Sequence, residues 1–224
     1  MPLGNWTIDQ VFNQLNSGYK WGGLTITFSF PNNINGIQTR SGEGPGFIAM
    51  NSVQQAASRL GVLLWDDLIA PDFLETVAGT NYAATNLEFG LSTTGVEYGW
   101  AYYPQEGSIW FNASKNTPGD TNNLTDPVIG RHGFVSYVHE IGHAIGLDHM
   151  GNYNGSNNVV PNSYQDSTVY SIMSYFGPSW GRGEQDVAWA DWIGKDGVRY
   201  SPQTPMLYDI YAIQRIYGVE TTTR

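Results

Sequence analysis

The stretch Val138–Met150, VHEIGHAIGLDHM, contains His139, His143 and His149, three of the four histidines in the chain. On an α-helix, residues four apart differ by about 40° around the axis, so His139 and His143 leave the same face. Two imidazoles placed this way can reach one ion at zinc–nitrogen distances of roughly 2.0–2.1 Å. Glu140 points to another side and can stand beside the ion without ligating it. The helix offers no third ligand at a useful angle. Gly146 can take a positive φ, end the helix and turn the chain so that His149 swings back. Three neutral imidazoles leave a fourth position open, which separates a catalytic zinc from a closed structural one. The plainer alternative is two surface histidines on a helix and a stray third. It loses its weight once the glycine and the third histidine occur at this spacing.

The rest of the composition narrows the setting. At 224 residues the chain can fill one domain, or two small lobes sharing a cleft. Apolar residues make up 41% and aromatics 14%, ample for a packed core. The net charge is −10 with only three lysines, which argues against nucleic acid and anionic membrane as partners. With no cysteine, disulfides and thiolate sites are excluded, so a transition metal must be held by His, Asp, Glu or Tyr. No apolar segment approaches the roughly 20 residues of a membrane span. The N-terminal MPLGNWTIDQVFNQL lacks the basic and apolar regions of a secretory signal.

Local patterning predicts an early helix, with Thr7 and Gln10 as its capping box and Gly18 or the Gly22–Gly23 pair as its end. Alternation over 24–30 predicts a half-buried strand. A second helix is expected over 52–68, capped by Ser52 and Gln55, with Val53, Ala57, Leu60 and Leu64 as its packed stripe. Short strands are expected at 86–92, 98–104 and 107–113, and the histidine helix over 133–147. A closing helix at 205–218 should pack Leu207, Ile210, Ile213 and Tyr217. The last third is otherwise loop, and the polar stretch 150–167 reads as solvated rather than cation-binding. His132 reads as a surface or capping residue.

The sequence HEIGHAIGLDH fits HExxHxxGxxH, the zinc signature of the metzincin metallopeptidases, and SIMSY resembles their Met-turn. Within that group the chain most resembles the serralysins, secreted bacterial zinc endopeptidases, through HEIGHAIGLDH, YSIMSYF and PMLYDIYAIQRIYG. The looser stretches LTITFSFP, NLEFGLS and AYYP followed by WFN agree, and the resemblance covers nearly the whole chain.

That resemblance implies an α+β fold of the zincin type. A twisted mixed sheet and long helices would form an upper lobe, 1–149. A loop-rich lower lobe, 150–224, would carry the C-terminal helix, with the active-site cleft between the two. It makes His139, His143 and His149 the ligands of one catalytic Zn2+ and Glu140 the general base acting on the zinc-bound water. Met173 becomes the floor beneath the metal, and Tyr175 an additional ligand that swings away to bond the reaction intermediate. Gly99, Trp100, Ala101 and Tyr102 fall on the strand that pairs with extended substrate, which implies broad specificity. Secretion, a monomeric state and a proteinaceous inhibitor as a candidate partner follow from the same likeness. Ca2+ is a candidate cofactor that no motif here supports, because the GGxGxD repeats that follow the last helix in serralysins are absent. A zinc-bound peptide-holding module is the alternative function, and intact Glu140 and Tyr175 count against it.

Overall fold

The computed structural model describes residues 3–78, 85–155, 159–178 and 186–222. Among these residues four α-helices and one six-stranded mixed sheet give the α+β class expected: α1 (Ile8–Leu15), α2 (Ser52–Asp66), α3 (His132–Ala144) and α4 (Leu207–Tyr217). The strands are β1 (Thr25–Ser29), β2 (Phe47–Ile48), β3 (Asp72–Glu75), β4 (Leu87–Ser92), β5 (Gly99–Ala101) and β6 (Ser108–Asn112). Their order is β3-β1-β4-β6-β5, with β2 joined to the far end of β4. The pairs β3–β1, β1–β4 and β4–β6 are parallel, while β5 runs antiparallel to β6 at the edge.

One core lies between the sheet and α2 and α3, filled by Phe28, Leu87, Phe89, Ile109, Phe111, Trp65, Tyr137 and Ile141 among others. Every residue of α3 is buried, so this helix runs through the core rather than over it. Trp65 of α2 donates its indole N–H to Val138 O (3.0 Å), joining the two helices by an apolar side chain with one polar end.

Several expectations need correction. The capping box of α1 forms as read, but the helix stops at Leu15, because Asn16 turns extended and bridges Leu147. The cap of α2 is Asn51 with Gln54, one residue before the Ser52–Gln55 pair. Its buried face is Gln54, Ala57, Ser58, Gly61, Val62, Trp65 and Asp66; of the expected stripe, Ala57, Leu60 and Leu64 pack on the core, and Val53 is exposed. The approach of α3 selects this face, since small residues there let the two helices close on each other. In α4 the buried set is Asp209, Ala212 and Ile213, whereas Leu207 is 62% exposed. Ile213 and Tyr217 of the expected stripe do pack on the core, while a buried carboxylate with three donors takes the place at the start of the helix that Leu207 was expected to fill. Strands β2 and β3 carry too few alternating residues to be seen in the sequence.

Candidate metal centre and cleft

The turn that ends α3 builds the centre. Leu147 N bonds Gly142 O (2.9 Å) and Gly146 N bonds His143 O (2.9 Å), a Schellman cap with Gly146 at φ +110°. The segment after α1 holds this turn in place. Ser17 N and Oγ both donate to Gly146 O (3.1 and 2.7 Å), and Asp148 N donates to Leu15 O (2.7 Å). The chain thereby doubles back, and His139, His143 and His149 come together with one nitrogen from each inside a 4.8 Å group. Among the described residues this is the one metal-capable cluster; residues 156–158 of the polar loop lie outside them.

The hydrogen bonds fix each ring. His139 Nδ1 lies 2.7 Å from Ile172 O, and His143 Nδ1 lies 2.7 Å from Leu147 O. A carbonyl oxygen only accepts, so each Nδ1 carries the hydrogen and each Nε2 presents a lone pair. His149 has a main-chain hydrogen bond at Tyr153. Burial and mutual repulsion push His139 down to about 3, burial alone takes His143 to about 4, and His149 falls well below its usual range. All three are therefore neutral near pH 7. His143 Nε2 and His149 Nε2 face each other at 3.0 Å. A shared cation resolves that opposition of lone pairs, and an all-imidazole donor set suits zinc.

The other expected site residues surround this point. Glu140 is buried, and burial raises its carboxyl to about 8. Its Oε1 sits against Gly99 of β5, where even a methyl group would stand 3.3 Å away. Met173 is fully buried, its sulfur facing Gly142, a position where any side chain would displace it. Asp209 ties α4 to the turn bearing Met173, accepting from Ser171 Oγ (2.6 Å), Ile172 N (2.8 Å) and Met206 N (2.8 Å). The Tyr175 ring lies 4.6 Å from that of His149 and 6.2 Å from that of His139.

Three cavities meet here. A small one of about 110 Å3 touches the three histidines, Glu140, Tyr175 and β5. A mostly apolar one of about 530 Å3 opens beside it between Tyr98, Val135, Ile172 and Pro202. A third, of about 620 Å3, lies beyond Ala101 along Tyr102–Glu106 and Arg40. Trp100 lines all three, and Tyr102 lines the third while its hydroxyl donates to Glu43 Oε1 (2.9 Å).

His132 is a correction: it is only 8% exposed, and its Nδ1 lies 2.8 Å from the Tyr98 hydroxyl. Nothing local signals this, because Tyr98 is brought over α3 only by the sheet. The sequence also gave no sign of Tyr153, whose ring packs 5.5 Å from His149 and 4.7 Å from Tyr175.

No protein-family model matches the chain. It is 36% identical over 188 residues to a serralysin of Photorhabdus laumondii subsp. laumondii, covering 80% of this chain and 36% of that protein. With serralysin C of Dickeya chrysanthemi the identity is 33% over 241 residues, 98% of this chain and 46% of the relative. With metalloprotease AprA of Pseudomonas entomophila it is 29% over 240 residues, again 98% and 46%. The chain therefore spans between about a third and a half of the length of these relatives. Similarity running through most of the chain, around a histidine cluster that the fold assembles, makes this chain similar to about a third to a half of a serralysin-type metalloprotease.

Proposed function

We propose that the chain is a secreted zinc-dependent endopeptidase that cleaves internal peptide bonds of extended polypeptides with broad specificity. The observation that carries the proposal is the set of three buried, neutral imidazoles converging beside Glu140 at the floor of an open cleft. A zinc ion held by His139, His143 and His149 would supply Lewis acidity toward the substrate carbonyl and lower the pKa of a coordinated water.

The chain's own groups do the rest. Glu140 takes the proton of the attacking water and hands it to the leaving amine. Its buried carboxyl is raised on its own, and a divalent charge next to it favours the ionised form that a base requires. Tyr175 donates its phenol to the oxyanion that develops. The edge strand β5 holds the substrate. Tyr98 O and Tyr102 N bond to β6, so the antiparallel alternation turns the N–H and C=O of Gly99 and Ala101 toward the cleft. Main-chain pairing with these groups accepts many side chains, which supports broad specificity. An antiparallel substrate would place residues before the scissile bond near the 620 Å3 cavity and those after it near the apolar 530 Å3 one. In this reading residues 1–149 form the upper wall of the cleft and 150–224 the lower.

The test is casein cleavage by zinc-verified wild type beside Glu140→Ala. Cleavage by wild type alone, with equal zinc in both proteins, is expected. Cleavage by Glu140→Ala would remove Glu140 from the role of base, and zinc-loaded wild type that leaves casein intact would refute the proposal.

A further inference from the structure

We infer that Tyr153, held by Asp166, is the positioning residue for Tyr175, an inference that rests on the catalytic role proposed for Tyr175. Asp166 is fully buried. Its Oδ1 accepts from the Tyr153 hydroxyl (2.7 Å) and from Ser174 Oγ (2.7 Å), and its Oδ2 from Asn162 N (3.2 Å). The Tyr153 hydroxyl in turn accepts from Tyr175 N (3.1 Å), and Ser174 Oγ accepts from Phe176 N (3.1 Å). One carboxylate thus fixes the main chain at Tyr175 and on either side of it.

The Tyr153 ring extends the same device to the metal centre. It packs against the rings of both Tyr175 and His149, and the Tyr153 main chain bonds His149. The third histidine and Tyr175 therefore share one support. A phenol that must serve a developing oxyanion needs a fixed pivot, because a misplacement of about 1 Å can cost on the order of 10²-fold in rate. With the backbone of Tyr175 pinned, only its side-chain torsions remain free. The clamp consequently restricts the phenol to a short arc in front of the histidines.

Two measurements on Tyr153→Phe test this, since the substitution keeps the ring and removes the hydroxyl. In metal-free protein the amide of Tyr175 should exchange roughly tenfold faster, the scale of one lost hydrogen bond, while the amides of α3 stay as they were. In zinc-loaded protein kcat should fall roughly tenfold with KM nearly unchanged, and the loss should vanish in a Tyr175→Phe background. Asp166→Asn with Tyr153 intact retains an acceptor for the Tyr153 hydroxyl and should keep most of both the slow exchange at Tyr175 and the wild-type kcat. Unchanged exchange at Tyr175 would overturn the inference, as would an equal loss of kcat in both backgrounds, the mark of general structural damage. If wild type fails to cleave casein, the endopeptidase reading falls separately, and the exchange rate still decides whether Tyr153 anchors Tyr175.

Discussion

Replacing Gly146 with alanine attacks the turn on which the metal centre depends. A side chain at φ +110° costs ~1–2 kcal/mol from local sterics alone. The new methyl group would also press on the carbonyl oxygen of Tyr19, a main-chain atom rather than a yielding side chain. Relieving that contact means moving the segment whose Ser17 holds Gly146 O through two hydrogen bonds, each worth about 1 kcal/mol. Together these come to ~3 kcal/mol. For a chain of this size that lowers Tm by roughly 6–12 °C, at 2–4 °C per kcal/mol. His149 lies three residues beyond the turn while His139 and His143 stay on α3, so the ligand set is split. Zinc affinity should drop at least about tenfold, since a displaced third ligand forfeits more than 1.4 kcal/mol. Calorimetry on metal-free protein and a competition titration against a chromophoric chelator read the two effects. An unshifted Tm together with unchanged zinc affinity would refute the claim that this φ is what brings His149 home.

Tyr175→Phe should lower kcat by ~10²-fold, as for removal of one oxyanion donor, with zinc content unchanged; an unaltered kcat takes Tyr175 out of the mechanism. Ala101→Pro deletes an N–H that faces the cleft on an edge strand, where proline is tolerated, and should raise KM roughly tenfold; equal KM would mean that substrate does not pair with β5. Asp209 gives a pH signature. Burial raises its carboxyl from 3.8 to about 6, so the folded chain holds a proton that the unfolded chain has already lost. Its contribution is fully present below pH 3.8 and is lost as pH rises through 6, by up to ~3 kcal/mol. Asp209→Asn should flatten that part of the stability curve, and an identical slope in both proteins would contradict the assignment.

The histidine helix, its glycine exit and the return of His149 were legible in the sequence because each depends on residues within one or two turns. The capping box of α1 and the strands β4 and β6 were legible for the same reason: hydrogen bonding and alternation are local. The cap of α2 shows how narrow that margin is. Asn51–Gln54 and Ser52–Gln55 are both chemically competent, and it is the Asn51–Gln54 pair whose side-chain amides also reach Thr125 O and Leu124 O, 70 or more residues away in sequence. For α4 the apolar stripe held at Ile213 and Tyr217 but misled at Leu207, since burial in the first turn is set by Asp209 meeting the backbone at Ile172 from 37 residues away.

By itself, then, the sequence determined the donors: three imidazoles at a spacing that one ion can bridge, a carboxylate beside them, and a glycine free to turn. Only the tertiary structure decided what surrounds them. It buried His132 under Tyr98, set Asp166 and Tyr153 behind Tyr175, and left one edge of the sheet open above Glu140. The physical reason is range. Backbone propensity and ligand spacing act over a few residues, whereas desolvation and hydrogen-bond satisfaction are settled among groups that meet only when the chain has packed.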